Sequence, residues 1–224
     1  MINLKINWKY SLAFYCIGML YASLHELIHH VAGFIICGEW GTKSFNYFET
    51  ACDDDPISYI ATYTGPIFTF IMMYVGAYFL NDKFSNYKKH LGFALIFAQL
   101  PMQRMISPFF KMNDEYYATA NLLGDNDYVY WLVIAVIWII CLPVLIKAYK
   151  AINNKNRIIW FLFYFLIFPY LLVVPIFLGL EFLMVEKNIL SSTVLGIGWL
   201  FILNEIVTII AHLYTKKYIY PHRK

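Results

Sequence analysis

Three histidines and a glutamate lie together in the first apolar segment, in the run His25-Glu26-Leu27-Ile28-His29-His30. Residues four positions apart on an α-helix share one face and lie about 6 Å apart, so His25 and His29 can direct imidazole nitrogens at one Zn²⁺ ion. Glu26 lies beside them, where it can accept a proton from a water molecule that the metal activates. This HExxH spacing predicts a zinc hydrolase with Glu26 as the catalytic base.

The apolar surroundings of this motif strengthen the prediction. A bare HExxH pattern also occurs by chance, but ionisable residues inside a transmembrane helix cost several kcal/mol on insertion scales. Such residues normally face a polar cavity and have a function. The structural alternative is a polar cluster that only packs helices together.

A catalytic zinc ion needs a third protein ligand, and carboxylates in two places are the candidates. Asp114 and Glu115 follow a proline-interrupted stretch, and Asp125 and Asp127 precede a long apolar segment. Either pair could also serve as an ordinary helix N-cap. We favour Asp114 as the third ligand, with Asp125 as the alternative.

Composition places the chain in the membrane. Of its 224 residues, 61% are hydrophobic and 14% are charged, whereas a soluble domain carries roughly 25% charged residues. The net charge of +3 is small and spread over loops, which argues against nucleic acid as a partner and for lipid headgroups.

The apolar segments predict an all-α fold, a polytopic transmembrane bundle of about six spans with a short extra helix. One integral membrane domain covers 1–224, with the zinc-site core at about 10–127 and further transmembrane helices at 128–215. The predicted spans are 10–37, 57–80, a third from 91, then 128–146, 158–180 and 193–213, with the extra helix at 113–124.

Breaks in two spans point to one cavity. Thr64-Gly65-Pro66 interrupts the second span at the depth of His29, and Pro101 and Pro108 interrupt the third. Irregular backbone is tolerated in a membrane only where protein or water satisfies its polar groups. We therefore expect these breaks to line a cavity in the outer half of the membrane.

Charge bias gives the expected orientation, because cytoplasmic loops are enriched in Lys and Arg. With the N-terminus inside, the inner segments hold 13 of the 17 basic residues. These are Lys5, Lys9, Lys83, Lys88, Lys89, Lys147, Lys150, Lys155, Arg157, Lys216, Lys217, Arg223 and Lys224. We expect a multi-pass protein of a bacterial cell membrane with both termini cytoplasmic.

The four cysteines, Cys16, Cys37, Cys52 and Cys141, lack the spacing of a zinc finger or redox motif. They are interpreted as small buried hydrophobic residues. A disulfide between Cys37 and Cys52 is the alternative if their loop, which also holds the acidic run Asp53-Asp54-Asp55, lies outside the cell.

Glu205 lies midway along the last predicted span. It could pair with Arg104, form a hydrogen bond between helices, or gate substrate entry, and the sequence leaves these alternatives open.

An HExxH in a transmembrane helix, a Gly-Pro in the next span and a carboxylate after a proline-containing stretch together resemble the site-2 protease family of intramembrane zinc metalloproteases. The resemblance covers roughly 20–127 and implies His25 and His29 as zinc ligands, Glu26 as the base and an aspartate as third ligand. The family's LDG motif is absent from the stretch 100–118, where Asp114 lies, and LLGD at 122–125 offers Asp125 instead. The chain therefore resembles a divergent member that hydrolyses membrane-embedded peptides.

Three other functions are alternatives to a protease. A membrane di-iron oxygenase needs about eight or more histidines in several clusters, and this chain has six. A cation transporter or membrane metal-binding protein would use the same His/Glu cluster without needing a proton shuttle. A catalytically silent relative that binds membrane peptides would not need an intact HExxH.

Overall fold

The computed structural model describes residues 1–52 and 55–219. Within those ranges the protein is mostly helical. Asp53 and Asp54 of the acidic run, and Arg223 and Lys224 of the basic set, lie outside the described residues.

The helices follow one another closely along the chain. They are α1 (Trp8–Cys37), α2 (Tyr59–Phe79), α3 (Asn86–Ala98), α4 (Pro101–Ile106), α5 (Asp114–Leu123), α6 (Asp127–Ala151), α7 (Arg157–Leu162), α8 (Phe168–Val173), α9 (Glu181–Val185) and α10 (Trp199–Thr215). Two π-helical turns, Phe163–Ile167 and Val174–Leu180, join α7, α8 and α9 into one segment. Short 3-10 turns cover Pro56–Ser58, Ser107–Phe110 and Lys216–Tyr218.

Four helical segments of the described chain are long and apolar enough to cross a membrane: Trp8–Cys37, Pro56–Phe79, Asp127–Ala151 and Arg157–Val185. The chain is thus built as a membrane protein. The third and sixth expected spans are shorter as helices, because α3 has 13 residues and α10 has 17, against about 20 for a straight crossing.

Helix α1 is the central element and packs against α2, α3 and α10. It begins where the side chain of Asn7 accepts a hydrogen bond from the Tyr10 backbone N–H, and it ends at Gly38 with φ 78°. Glycine reaches this left-handed conformation without steric cost, which makes it the usual residue after a helix. This helix of 30 residues carries the HExxH motif in its C-terminal half.

The mostly helical fold agrees with the all-α expectation, and one small sheet accompanies the helices. Strands β1 (Thr42–Lys43), β2 (Phe48–Glu49), β3 (Thr193–Val194) and β4 (Ile197–Gly198) form one sheet in the order β2-β1-β4-β3. β1 runs antiparallel to β2 and parallel to β4, and β3 runs antiparallel to β4. Two-residue strands are too short to show an alternating pattern, so the sequence does not reveal them.

Side-chain contacts fix this sheet to the helices. Ser44 Oγ and the Phe45 N–H donate hydrogen bonds of 2.6 and 2.9 Å to the two carboxylate oxygens of Glu181. The buried Lys43 ammonium lies 3.3 Å from the centre of the Phe201 ring, and burial lowers the pKa of Lys43 to about 8. The loop after α1 is therefore anchored to both α9 and α10.

A disulfide joins Cys37 to Cys52. Interpreting these two cysteines as small hydrophobic residues was wrong, and the alternative of a bridge across this loop is the one that the structure contains. The other two, Cys16 and Cys141, are buried free thiols as expected. The bridge ties the end of α1 to the segment that leads into α2.

Two glycines bring α2 and α3 into backbone contact. A Cβ added at Gly76 would lie 2.6 Å from the Gly92 carbonyl oxygen, and one added at Gly92 would lie 2.5 Å from the Gly76 carbonyl oxygen. α3 then ends, and Leu100 turns the chain with φ 52° before Pro101 opens α4. This close contact therefore fixes the position of the corner between α3 and α4 relative to α1.

We expect Gly92→Ala to lower the free energy of unfolding by about 1–3 kcal/mol, because the new methyl group overlaps backbone that cannot move aside. The matched control is Gly179→Ala, where an added Cβ meets nothing within 4 Å and the change should stay within about 0.5 kcal/mol. Thermal unfolding in detergent micelles measures both. Equal stability of the two variants would contradict the close α2–α3 contact.

Candidate metal centre

His25 and His29 lie on one face of α1 with their rings buried. Their Nε2 atoms are 3.0 Å apart. Asp114 Oδ2, from the first turn of α5, lies 3.1 Å from His25 Nε2 and 3.7 Å from His29 Nε2. One ligand atom from each residue thus lies within 4.8 Å of the other two.

The outer nitrogens of both rings are held by helix α2. His29 Nδ1 lies 2.9 Å from the Ala61 carbonyl oxygen, which can only accept, so Nδ1 carries the proton. His25 Nδ1 lies 2.9 Å from Thr69 Oγ1. Because the Arg104 Nη2 atom, 2.6 Å from Nε2 of this ring, can only donate, Nε2 accepts and Nδ1 carries the proton. Both Nε2 atoms then present lone pairs to the shared centre, which is how metal-binding histidines are usually oriented.

This donor set fits a zinc ion. A tetrahedral zinc ion with bonds of about 2.0 Å separates its ligand atoms by about 3.3 Å, and the three distances here are 3.0, 3.1 and 3.7 Å. Two imidazole lone pairs that face each other repel unless a cation lies between or beside them. Two histidines and one carboxylate also match the ligand types of catalytic zinc sites.

Gly65 allows α2 to approach these rings. An added Cβ there would overlap His29 Nε2 and would lie 2.7 Å from His25 Cε1. The helix continues through Pro66, whose ring nitrogen has no N–H to donate. The Gly65 contact confirms that Thr64–Pro66 lies level with His29. The expected interruption of the second span is wrong, because α2 is continuous there.

Asp114 reaches the centre because the chain after α3 is irregular. The 3-10 turn Ser107–Phe110 and Lys111, with φ 58°, redirect the backbone, and the extended Asn113 precedes α5. The predicted extra helix at 113–124 is confirmed with its Gly124 end.

Asp125, the alternative third ligand, lies outside the cluster, so the structure does not place it where it could bind the same ion. Lys111 Nζ donates to it at 2.7 Å, and Tyr116 also donates to it. The Lys111 ammonium holds the pKa of this exposed carboxyl below its ordinary value. Asp125 follows the C-terminal end of α5, and it therefore lies on a different surface from the cluster.

A cavity of about 610 Å³ adjoins the cluster. Glu26 lines it together with His25 and Asp114, and polar side chains of the α3–α4 corner, Gln99 and Gln103, form another wall. The amide nitrogen of Gln99 is buried and has no hydrogen-bond partner among the described residues. The predicted cavity beside the motif is therefore present, with a carboxylate, imidazole and amide lining.

An aromatic ring covers the far side of His29. Phe48 of β2 stacks on the imidazole with ring centres 4.4 Å apart and an angle of 4° between the planes. Nothing in the sequence pattern indicated this contact. Thr69, by contrast, lies four residues after Gly65 on the same helix face, and that spacing could have identified it.

Arg104 contacts the cluster itself, which the sequence did not predict. Its Nη1 donates to Asp114 Oδ2 at 2.8 Å, and its Nη2 donates to His25 Nε2 at 2.6 Å. The suggested pair with Glu205 does not form, because Glu205 accepts a hydrogen bond of 2.7 Å from Ser23 Oγ. Of the three alternatives for Glu205, the bond between helices is the one observed.

No known protein family, curated protein or solved structure matches the chain.

We expect Gly65→Ala to weaken zinc binding about 10- to 100-fold, the usual range for changes that disturb the support of metal ligands. The added methyl group would displace His29 Nε2 from the centre. Competition with a chelator of known affinity measures this. Gly179→Ala adds the same group to open space and should bind zinc as the wild type does; equal affinity of both variants would contradict this geometry.

Proposed function

We propose that this protein is an intramembrane zinc metalloprotease, a divergent relative of the site-2 proteases. One observation carries the proposal: His25, His29 and Asp114 bring their ligand atoms within 4.8 Å of one another beside a cavity that Glu26 also lines. Zinc hydrolases need this combination of three ligands, an adjacent carboxylate and room for substrate.

Each side chain has a distinct task in the proposed reaction. His25, His29 and Asp114 would hold the zinc ion, which would supply a Lewis acid for the scissile carbonyl. Glu26 accepts a proton from the attacking water molecule and delivers it to the leaving amine. Ala61 and Thr69 hold the two imidazoles in the tautomer that binds metal.

The proposed substrate is a peptide segment within or beside the lipid bilayer. A regular transmembrane helix hides its amides in hydrogen bonds, so the substrate must present a locally unwound stretch. The cavity suits such a stretch, because amide and hydroxyl groups from Gln99, Gln103 and Tyr59 line it and can bond to exposed peptide groups.

Six crossings with both termini in the cytoplasm are part of this proposal. Ile2 pairs with Ile152 after α6, and Lys9 Nζ lies 5.4 Å from the Tyr218 ring centre after α10. The N-terminus and the ends of α6 and α10 thus lie together. The sheet joins the loops at the opposite ends of α1 and α10, which supports α10 as a crossing, and α3, α4 and α5 together make another.

Metal content and proteolysis test the proposed function together. We expect about one zinc ion per purified chain, lost in His29→Ala and Asp114→Ala but kept in Asp125→Ala, because Asp125 bonds to Lys111 instead. Glu26→Gln should keep the zinc ion and lose cleavage of membrane-spanning peptides in proteoliposomes. Elemental analysis and mass spectrometry of the products are the measurements.

One result would contradict the proposed mechanism, and another would contradict the proposed function. Undiminished cleavage by Glu26→Gln would exclude Glu26 as the base. Zinc uptake into sealed vesicles by both wild type and Glu26→Gln, without cleavage, would identify a cation transporter instead.

We expect the loop that holds Cys37 and Cys52 to lie outside the cell, because disulfides persist on oxidising sides of membranes. After reduction of intact cells, a membrane-impermeant maleimide should label these two cysteines. Cys16 and Cys141, which are buried, serve as internal controls and should stay unlabelled. Digestion of an N-terminal tag by external protease would contradict this orientation.

A further inference from the structure

The guanidinium of Arg104 contacts the same atoms that the proposed metal centre needs. Nη2 donates to His25 Nε2 at 2.6 Å, and Nη1 donates to Asp114 Oδ2 at 2.8 Å. The side chain is only 16% exposed. A permanently charged group is therefore held in the centre of the cluster, where water screens it little.

His25 Nε2 cannot serve both cations at once. A neutral imidazole with its proton on Nδ1 has a single lone pair at Nε2. That lone pair either accepts the N–H of Arg104 or binds a metal ion. Asp114 Oδ2 has further lone pairs, but a guanidinium bonded to it still repels a divalent cation at short range.

A second carboxylate offers Arg104 another partner. Glu115 is 7% exposed, and its Oε2 lies 3.4 Å from Arg104 Nη1. Its other oxygen, Oε1, is buried and has no hydrogen-bond partner among the described residues. A buried carboxylate oxygen without a donor is costly, and a guanidinium fork can satisfy both oxygens.

We propose that Arg104 and Glu115 form a positioning pair that controls metal loading. Arg104 competes with the metal ion for His25 and Asp114, and Glu115 receives the guanidinium when the metal ion takes those ligands. The inference rests on the proposed metal centre. It makes zinc affinity depend on a charge that does not bind the ion.

Zinc affinity of purified full-length variants tests this by chelator competition, with zinc alone as the probe. We expect Arg104→Gln to lower the zinc Kd about tenfold or more, because a like charge leaves the site. Glu115→Gln should raise the Kd about tenfold, because Arg104 loses its second partner. In the double variant, Glu115→Gln should change the Kd by less than about twofold relative to Arg104→Gln.

Two further variants separate charge from fold. Arg104→Lys keeps the positive charge and should stay near the wild-type Kd, and Arg157→Gln removes an arginine whose guanidinium lies over Tyr149 and should change nothing. Arg104→Gln should also show a lower unfolding temperature without zinc and a larger rise when zinc is added, since zinc then binds more tightly.

An unchanged or higher Kd in Arg104→Gln would overturn the inference and leave Arg104 as a simple support for Asp114. If the wild type binds zinc but the Kd of Arg104→Gln is not lower than that of the wild type, the proposed protease stands and only the inference falls. If Arg104→Gln binds zinc and the wild type does not, the inference stands and the proposed function falls. Absence of zinc from both would overturn both.

Discussion

Two imidazole nitrogens that face each other across 3.0 Å are the contact on which the rest of this structure depends. With both outer nitrogens bonded to α2, the facing atoms carry lone pairs that repel. Helix α2 can hold them there only because Gly65 has no side chain to intervene. The sharp corner after α3 then brings Asp114 and Arg104 to the same point. The fold therefore concentrates electron-pair donors, two of which accept hydrogen bonds from the Arg104 guanidinium.

The charged groups around the imidazoles bear on the proposed metal centre. Asp114, Glu115 and Glu26 contribute three carboxylates, and Arg104 contributes one guanidinium. The buried Lys43 ammonium is a second cation that interacts with Glu26, so these five groups hold one more acid than base. Buried charge in a membrane protein is costly unless it is paired. In the proposed function, a zinc ion would be a further partner for the carboxylate that Arg104 and Lys43 leave unpaired.

Much of the site could be predicted because helix geometry is local. The spacing of His25 and His29 determines that they share a face, and Gly65 lies level with them by residue count alone. Asp114 could only be ranked above Asp125, because choosing between them depends on turns at Ser107–Lys111 that no periodic pattern encodes. The Cys37–Cys52 bridge could be named only as an alternative, and the β1–β4 pairing and the Arg104–His25 contact join residues distant in sequence. Such long-range contacts cannot be predicted from the pattern of a single sequence.

Irregular backbone is what makes a polar centre possible at this depth. A continuous membrane helix satisfies its own N–H and C=O groups and leaves little for other groups to bind. Here helix α3 ends at Ala98, the chain turns at Leu100 and Lys111, and helix α5 begins at Asp114. A helix start exposes free N–H groups and favours negative charge nearby. The start of α5 therefore suits the Asp114 carboxylate, which faces two histidines.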